Sequence, residues 1–444
     1  MPEIDNLDHF IKWFRYSSPY INAHRGKTFV ILFEGEAIAD ENFSHLIHDF
    51  ALLNSLGIKL VLVHGSRPQI EKQLSSAGIK TRIVDNIRIT DEQSLNSVKQ
   101  AIGAVKIDIE ALLSMGVINS PMAGAKIRVC SGNFVVAKPL GVINGIDYCF
   151  TGEVRRIDTK SIRTQLDEGA IVLLSSLGYS PTGEVFSLKA EDVARKTAIS
   201  IAADKFIYLT EKNQLLDTDG LQIKQMNLSD ARDYLKHHKP LDKETRHSLT
   251  CAIDMVSQGI TRVHLVNRKI EGSLLLELFS RDGVGSLITA DSYDNVREAN
   301  IDDVGGILEL ITPLEAQGIL VRRSREQLEI NIQQFTVMER DGMIIACASV
   351  HFYENEHIAE LACLAVHEDY RNEQRGEILL SIIEKQARKR GNKTLFALTI
   401  KTAHWFVENG FSETTISALP VSRQSMYNFQ RNSKVFSKNI AALS

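Results

Sequence analysis

The run ELACLAVHEDYRNEQRGEILL, residues 360–380, holds residues well spaced for chemistry: Glu360, then Arg371, Gln374, Arg375, Gly376 and Glu377. Leu361 to Val366 predicts a buried strand, the polar stretch through Gly376 a turn, and the spacing beyond it a helix opening at Glu377. A strand feeding a glycine-containing turn and a helix is a device for holding phosphate. The first N–H groups of a helix lack intrahelical acceptors and together carry about half a positive charge. Flanking arginines add forked, charge-assisted donors. Two more arginines, Arg322 and Arg323, stand just ahead of a helix start marked by Ser324 and Gln327 at capping-box spacing. Helix N-termini disfavour cations, so a bound carboxylate accounts for at least one of the two better than the helix does.

The elements that position these groups belong to a chain of 444 residues, 44% hydrophobic and 24% charged, enough for two cores. A net charge of −4 gives no basic field for nucleic acid or an anionic membrane, and favours a small-molecule partner. Cys130, Cys149, Cys251, Cys347 and Cys363 are scattered and never at CxxC spacing, which argues against a disulfide framework and a structural zinc site and reads them as small core residues; no metal is expected. The start MPEIDNLDHFIKWF lacks an apolar signal region, and no apolar run reaches the ~18 residues of a membrane span, so the expected location is cytoplasmic.

Leu7, Phe10, Ile11 and Phe14 predict a short amphipathic helix whose stripe either packs on its own domain or reaches a neighbouring subunit. Apolar strands at Phe29–Phe33, Lys59–His64, Ile171–Leu174 and Phe206–Leu209 alternate with helices, the pattern of a parallel sheet covered on both faces. The polar run TADSYDNVREAN lacks a buried strand and places a domain boundary near Ser292, giving units 1–291 and 292–444. Beyond it come a helix capped by Asp302 and ended or kinked by Pro313, a second helix from about Arg325, and a hairpin of Phe335–Glu339 and Met343–Phe352 turning at Asp341-Gly342. Ile358–Val366 is the next strand, and its helix runs to Arg390 with Gly391 as the stop. A strand at Thr394–Thr399, a short helix at His404–Glu408 and a last strand from Phe411 complete the order.

That order, and the turn with Arg371 first and Gly376 last, resemble the GCN5-related N-acetyltransferases (GNAT), whose turn grips the pyrophosphate of acetyl-CoA. Gln374 stands where the first turn glycine is expected. The resemblance implies an α+β domain with acetyl-CoA as co-substrate and no permanently bound cofactor. Cys363, Leu364, Ala365 and Val366 then line the pantetheine arm, and Arg371, Gln374, Arg375, Gly376 and Glu377 the pyrophosphate. Acetylating an amine requires it neutral, and an α-amino group with a pKa of about 8 is mostly protonated at pH 7. Glu360, just ahead of the cofactor-binding backbone, is the candidate base. The N–H groups of Cys363 or Leu364 are candidate oxyanion donors. Thr399, Tyr427 and Ser433 are candidates to supply a proton or hydrogen bond.

The first unit resembles the amino-acid kinase fold, a three-layer parallel-sheet domain, through GKTFVILFEGEA, LVLVHGSRPQI, GNFVVAKPLGVINGIDY and AEDVARKTAISIAADKFIYLTE. Where the kinases place a lysine and two glycines, this chain has Leu32, Glu34 and Gly35; the glycine pair after the second strand reads Ser66 and Arg67. Phosphoryl transfer rests on positioning and positive charge, so this is a kinase fold without kinase activity. VHLVNRKIEGSLLLELFSRDGVGSLI supplies His264, Glu277, Gly283 and Gly285 in the order of the arginine site of arginine-inhibited kinases of this fold. A carboxylate suits a guanidinium, and turn N–H groups suit the ligand carboxylate.

Joined, the two units resemble the N-acetylglutamate synthases of bacterial arginine biosynthesis, with GILVRRSREQLE, ELACLAVHEDYR, HWFVENGF and QRNSKVF as similar runs. This implies acetyl transfer to L-glutamate, inhibition by L-arginine, and a homo-oligomer, with a hexameric ring as one form it can take. Arg323 and Arg431 each take a glutamate carboxylate, with Ser433 beside them. Open alternatives are an acetyltransferase for another amine or a protein, a non-catalytic arginine sensor, and an active kinase, which Leu32 opposes.

Overall fold

A computed structural model describes residues 4–441, apart from 85–86, 116–121, 212–214, 218, 239–240, 281–282, 291–294, 341–342 and 372–373. The chain divides into two compact units, Met1–Ser292 and Tyr293–Ser444.

The first unit opens with helix α1 (Ile4–His24), longer than its apolar stripe predicts, with Pro19 inside it. Its main sheet is built from β1 (Thr28–Phe33), β2 (Lys59–His64), β3 (Val129–Cys130), β4 (Ile171–Ser175), β5 (Lys205–Thr210), β6 (Gln225–Asn227), β7 (Arg262–Asn267) and β8 (Ser286–Thr289), in the order β6-β8-β7-β5-β1-β2-β4-β3. All neighbours run parallel except β7 and β8. The unbroken apolar runs follow from burial on both faces. In β1 and β2, Val30, Leu32, Val61 and Val63 enter one core while Phe29, Ile31, Phe33, Leu60 and Leu62 enter the other. Three helices matter for the sites: α2 (Ala190–Ser200), α3 (Lys243–Ser257) and α4 (Ser273–Phe279).

The second unit is a seven-stranded sheet with helices on it. Its strands are β9 (Asn295–Glu298), β10 (Phe335–Arg340), β11 (Met343–Tyr353), β12 (Ile358–Val366), β13 (Thr394–Thr399), β14 (Ser412–Thr414) and β15 (Lys434–Asn439), ordered β9-β10-β11-β12-β13-β15-β14. Its helices are α5 (Val304–Ala316), α6 (Arg325–Asn331), α7 (Arg375–Lys389), α8 (Ala403–Glu408) and α9 (Val421–Ser425). The expected capping box of Ser324 and Gln327 starts α6, and Gly391, at φ +78°, follows α7. The expected Asp341-Gly342 turn lies outside the described residues; β10 and β11 pair up to Arg340 and Met343 beside it.

Three expectations about these elements give way. The cap ahead of α5 is Asn300 paired with Asp303, on a short 3-10 turn, in place of Asp302. Pro313 neither ends α5 nor stands at its end: the helix continues to Ala316, since a proline near the last turn forfeits little of the ladder. The polar run before it lacks a buried strand as expected: its edge strand, β9, has no buried residue and is held by Arg297, which pairs with both Asp303 and Glu339. The last strand is β15, inserted between β13 and the strand after Phe411, and its alternation is too short to stand out. Of the five free cysteines, Cys347 and Cys363 are core residues, but Cys149 is exposed. Among the described residues, no helix is long and apolar enough to cross a membrane.

Candidate functional site

Strand β12 organises the second unit's site. It pairs with parallel β13 only from Ile358 to Leu361, so its second half, through Val366, parts from that neighbour. On its other edge the register with β11 slips: Ala362 faces Ser349 and Ala365 faces Cys347, leaving Cys363 and Leu364 opposite one residue. Cys363 sits at φ +50°, the left-handed conformation of a bulge in which glycine is the usual occupant. The bulge changes the strand's phase. Ala359, Leu361, Leu364 and Val366 pack on the α7 side, whereas Cys363 and Ala365 turn to the α5 side.

Glu360, just ahead of this break, is 6% exposed. Its Oε2 accepts from the Tyr353 hydroxyl at 3.1 Å and from Arg423 Nε at 2.9 Å, and its Oε1 accepts from Arg423 Nη2 at 3.1 Å. This forked pair fixes the carboxylate plane. Burial and the adjacent carboxylate push the Tyr353 hydroxyl well above its ordinary pKa, so it remains a donor. Burial opposes charge on Arg423, but Glu360 more than offsets it and the guanidinium's pKa rises. His351 lies across from Glu360 in the β11 register; burial lowers its pKa, the Glu360 carboxylate opposes that shift, and the Arg323 and Arg423 charges add to it. Arg423, Tyr353 and His351 were not singled out from sequence. Arg423 is 63 residues from its partner, on a five-residue helix with no periodic signal.

The two arginines expected to take carboxylates meet at one connection. Arg323 Nη1 donates to the Val321 carbonyl at 3.1 Å, and Arg431 Nη2 to that of Ile319 at 2.6 Å. Thr399 is engaged in a turn with Thr402. Tyr427 donates its buried hydroxyl to the Ser433 carbonyl at 2.6 Å, in a cluster with Phe396 and Val435.

At the turn, Gln374 occupies the N-cap of α7 at φ 56°, ψ 18°. The expected glycine is missing but the left-handed backbone it would adopt is kept. A Cβ on Gly376 would lie 3.0 Å from Trp405 Cζ2, and Glu377 accepts from Trp405 Nε1 at 2.9 Å, so α8 leans on the start of α7. Arg375 is buried, donating to the Tyr370 carbonyl and stacked on the Tyr370 ring, and only its backbone N–H points where a helix N-terminus binds anions. Arg371 is exposed, with Nε 3.3 Å from the Val366 carbonyl.

In the first unit, His264 on β7 and Glu277 on α4 lie 2.7 Å apart, both buried. The other Glu277 oxygen accepts from the backbone of Val284 and Gly285, at 2.9 and 2.7 Å, and Gly283, at φ +57°, passes so close that a Cβ would sit 2.4 Å from it. The four expected residues are therefore together, with two turn N–H groups already engaged by Glu277. Burial works against the Glu277 charge, but His264 and the turn hold its pKa below the usual range. Helix α1 is tied to α4 beside it: Ser17 donates to the Phe279 carbonyl, and His24 Nε2 lies 2.8 Å from that of Leu278.

At the end of β1, Leu32 is fully buried, and Glu34 accepts from the Tyr208 hydroxyl at 3.2 Å. Burial, then repulsion from Glu191, raises the Glu34 pKa to about 8. Glu34 and Glu191 are thus within electrostatic reach of each other beside β1, where the kinase resemblance expects a lysine and glycines.

Residues 27–267 match the amino acid kinase family, and residues 307–411 the acetyltransferase (GNAT) family. The chain is 52% identical to an amino-acid acetyltransferase of Azotobacter vinelandii over 97% of its own length and 99% of the relative's, and 50% identical to one of Ectopseudomonas mendocina over 97% and 100%. Its structure is similar to that of N-acetylglutamate synthase from Neisseria gonorrhoeae complexed with coenzyme A and L-arginine, with a TM-score of 0.87, 35% identity, and 97% and 99% of the two chains covered. With the same protein complexed with coenzyme A and N-acetyl-glutamate the TM-score is 0.61.

Proposed function

The chain belongs to the amino-acid acetyltransferase family, acyltransferases that take acetyl-CoA as co-substrate, and from that premise we propose that it acetylates the α-amino group of L-glutamate and is inhibited by L-arginine bound in its first unit. The observation that carries the catalytic part is Glu360: a buried, oriented carboxylate at the strand position where β12 leaves β13.

In this scheme the CoA pyrophosphate rests on the N–H groups opening α7, with Gly376 allowing close approach, and the pantetheine arm lies along Cys363 to Val366. The substrate's two carboxylates engage Arg323 and Arg431, with Ser433 beside them. Glu360, directly or through water, takes a proton from the amine. The nitrogen attacks the thioester carbonyl, an N–H of Cys363 or Leu364 stabilises the oxyanion, and the C–S bond breaks to release CoA thiolate. A thiol with a pKa of about 8.5 leaves with little help. Thr399 and Tyr427 would have to exchange their present partners to protonate it. Arg423 and Tyr353 hold the Glu360 carboxylate in its orientation.

For regulation, an arginine guanidinium would take the place of His264 or the turn N–H groups on Glu277, releasing those N–H groups to the ligand carboxylate. The first unit, 1–291, then senses arginine without phosphoryl transfer, since Leu32 supplies no charge and the Glu191 carboxylate repels a triphosphate. Exposed Ile11, Trp13, Phe14 and Tyr16 on α1 support a homo-oligomer built through that helix, a hexameric ring being the proposed form of an enzyme working in the cytoplasm. CoA thiol release from acetyl-CoA with a panel of amino acids, with and without arginine, tests the whole reading. Release that ignores glutamate would transfer the reaction to another amine, and release unaffected by arginine would remove the regulatory half.

A further inference from the structure

Where a phosphoryl-transfer centre would stand, three side chains of different type converge. Glu191 lies in the first turn of α2, and His247 and Cys251 lie one turn apart on α3, four residues from each other and hence on one helix face. One ligand atom from each falls within 4.8 Å of the others. His247 Nε2 is 2.8 Å from Glu191 Oε1 and 3.7 Å from Cys251 Sγ.

Both neighbours address the same ring nitrogen. A nucleophile–histidine–carboxylate relay needs them on opposite nitrogens, so that a proton taken at one is balanced at the other. That geometry is absent here. A carboxylate at a helix start is often only a dipole partner, but that role leaves the thiol and the imidazole unexplained. What the arrangement offers is a carboxylate oxygen, an imidazole nitrogen and a thiol sulfur whose ligand atoms lie within 4.8 Å of one another, with a proton on the imidazole that a cation would displace. A tetrahedral zinc, with bonds of about 2.3 Å to sulfur and 2.0–2.1 Å to nitrogen, separates those two ligands by about 3.6 Å, close to the spacing present. The carboxylate need only back away by about half an ångström to reach its own bonding distance.

We propose that this cleft binds a divalent, borderline-soft cation, Zn2+ foremost, through Glu191, His247 and Cys251, with water as fourth ligand. Thiolate and imidazole exclude Mg2+ and Ca2+, which require oxygen ligands. The half-exposed His247 leaves a path for entry. The bound ion clamps the start of α2 to the second and third turns of α3, using for a structural ion a cleft that has lost the charge needed for nucleotide.

The test uses the full chain, stripped with chelator under reducing conditions and titrated with Co2+ as spectroscopic probe. One equivalent should produce a sulfur-to-cobalt charge-transfer band and the visible bands of a tetrahedral site, and Zn2+ should bleach both stoichiometrically. Cys251→Ser should abolish the charge-transfer band, and His247→Ala and Glu191→Gln should each weaken binding at least tenfold, with acetyl transfer unchanged as the check on folding. Cys149→Ser, removing the exposed thiol, should change nothing. No charge-transfer band in the unmodified chain, or a band that survives Cys251→Ser, would overturn the assignment.

Discussion

Replacing Gln374 by glycine should stabilise the second unit without changing how it handles acetyl-CoA. The left-handed conformation costs an L-residue roughly 1–2 kcal/mol, and Gln374 adopts it at φ 56°. Glycine removes that strain but gives the unfolded chain extra freedom worth about 0.4–1 kcal/mol. The net gain is about 0.5–1 kcal/mol, which in a domain of about 150 residues raises the midpoint by roughly 1–3 °C. The chain's two tryptophans, Trp13 and Trp405, fall in different units, so a Trp13→Phe background makes tryptophan fluorescence report the second unit alone. Gln374→Val should move the midpoint the other way, because a β-branched residue tolerates this region worst. The KM for acetyl-CoA should stay within about twofold of the parent for Gln374→Gly, since the N–H groups that open α7 keep their directions. A lowered midpoint, or a tenfold rise in KM, would refute the reasoning and show that the glutamine side chain is what the turn retains.

Glu360→Gln should cut kcat by about 10²- to 10⁴-fold with the acetyl-CoA KM nearly unchanged, and turnover within a few-fold of the parent removes it as base. Gly376→Ala places a methyl 3.0 Å from Trp405 at the start of α7, where the pyrophosphate is proposed to rest, so the acetyl-CoA KM should rise several-fold while amino-acid saturation is unaffected; parallel changes in both would point to misfolding instead. Glu277→Ala should abolish arginine inhibition at unchanged glutamate KM, and retained inhibition places that site elsewhere. His64 is fully buried, and burial lowers its pKa from 6.5 to about 4, so the folded state resists a proton that the unfolded chain accepts. Its contribution is therefore present above pH 6.5 and lost as pH falls through 4. His64→Gln should flatten that part of the first unit's stability curve, and an unchanged slope assigns the acid sensitivity to other groups.

Sequence made much of this legible where a local rule is strong. The strands β12 and β13 fall on their predicted bounds, because an apolar run between polar turns admits one reading. The pattern of β1 and β2 announced a doubly covered sheet for the same reason. Sequence failed where tertiary structure overrides local signal. Period-two alternation cannot place a bulge, so the change of face between Leu361 and Cys363 was hidden. Arg423 has no local reason to be on α9, and its meaning comes only from Glu360. Strand β15 is recruited by the gap beside β13, a fact of the sheet and not of its own six residues. The pairing of His247 and Cys251 lay in plain spacing, but Glu191, 56 residues away, completes the cluster only in three dimensions.

The bulge at Cys363 sets two selective pressures against each other at a single residue. Removing one amino acid between Ala362 and Leu364 would restore an unbroken ladder between β11 and β12 and relieve a strained backbone angle. By every measure of sheet quality the result would be an improvement. It would leave Glu360 opposite His351, yet take away the slack with which the second half of β12 parts from β13, the opening along which the acyl donor is proposed to lie. Sequence drift toward stability in this strand is thus drift away from turnover, and the slack of one residue is the margin in which the chain works.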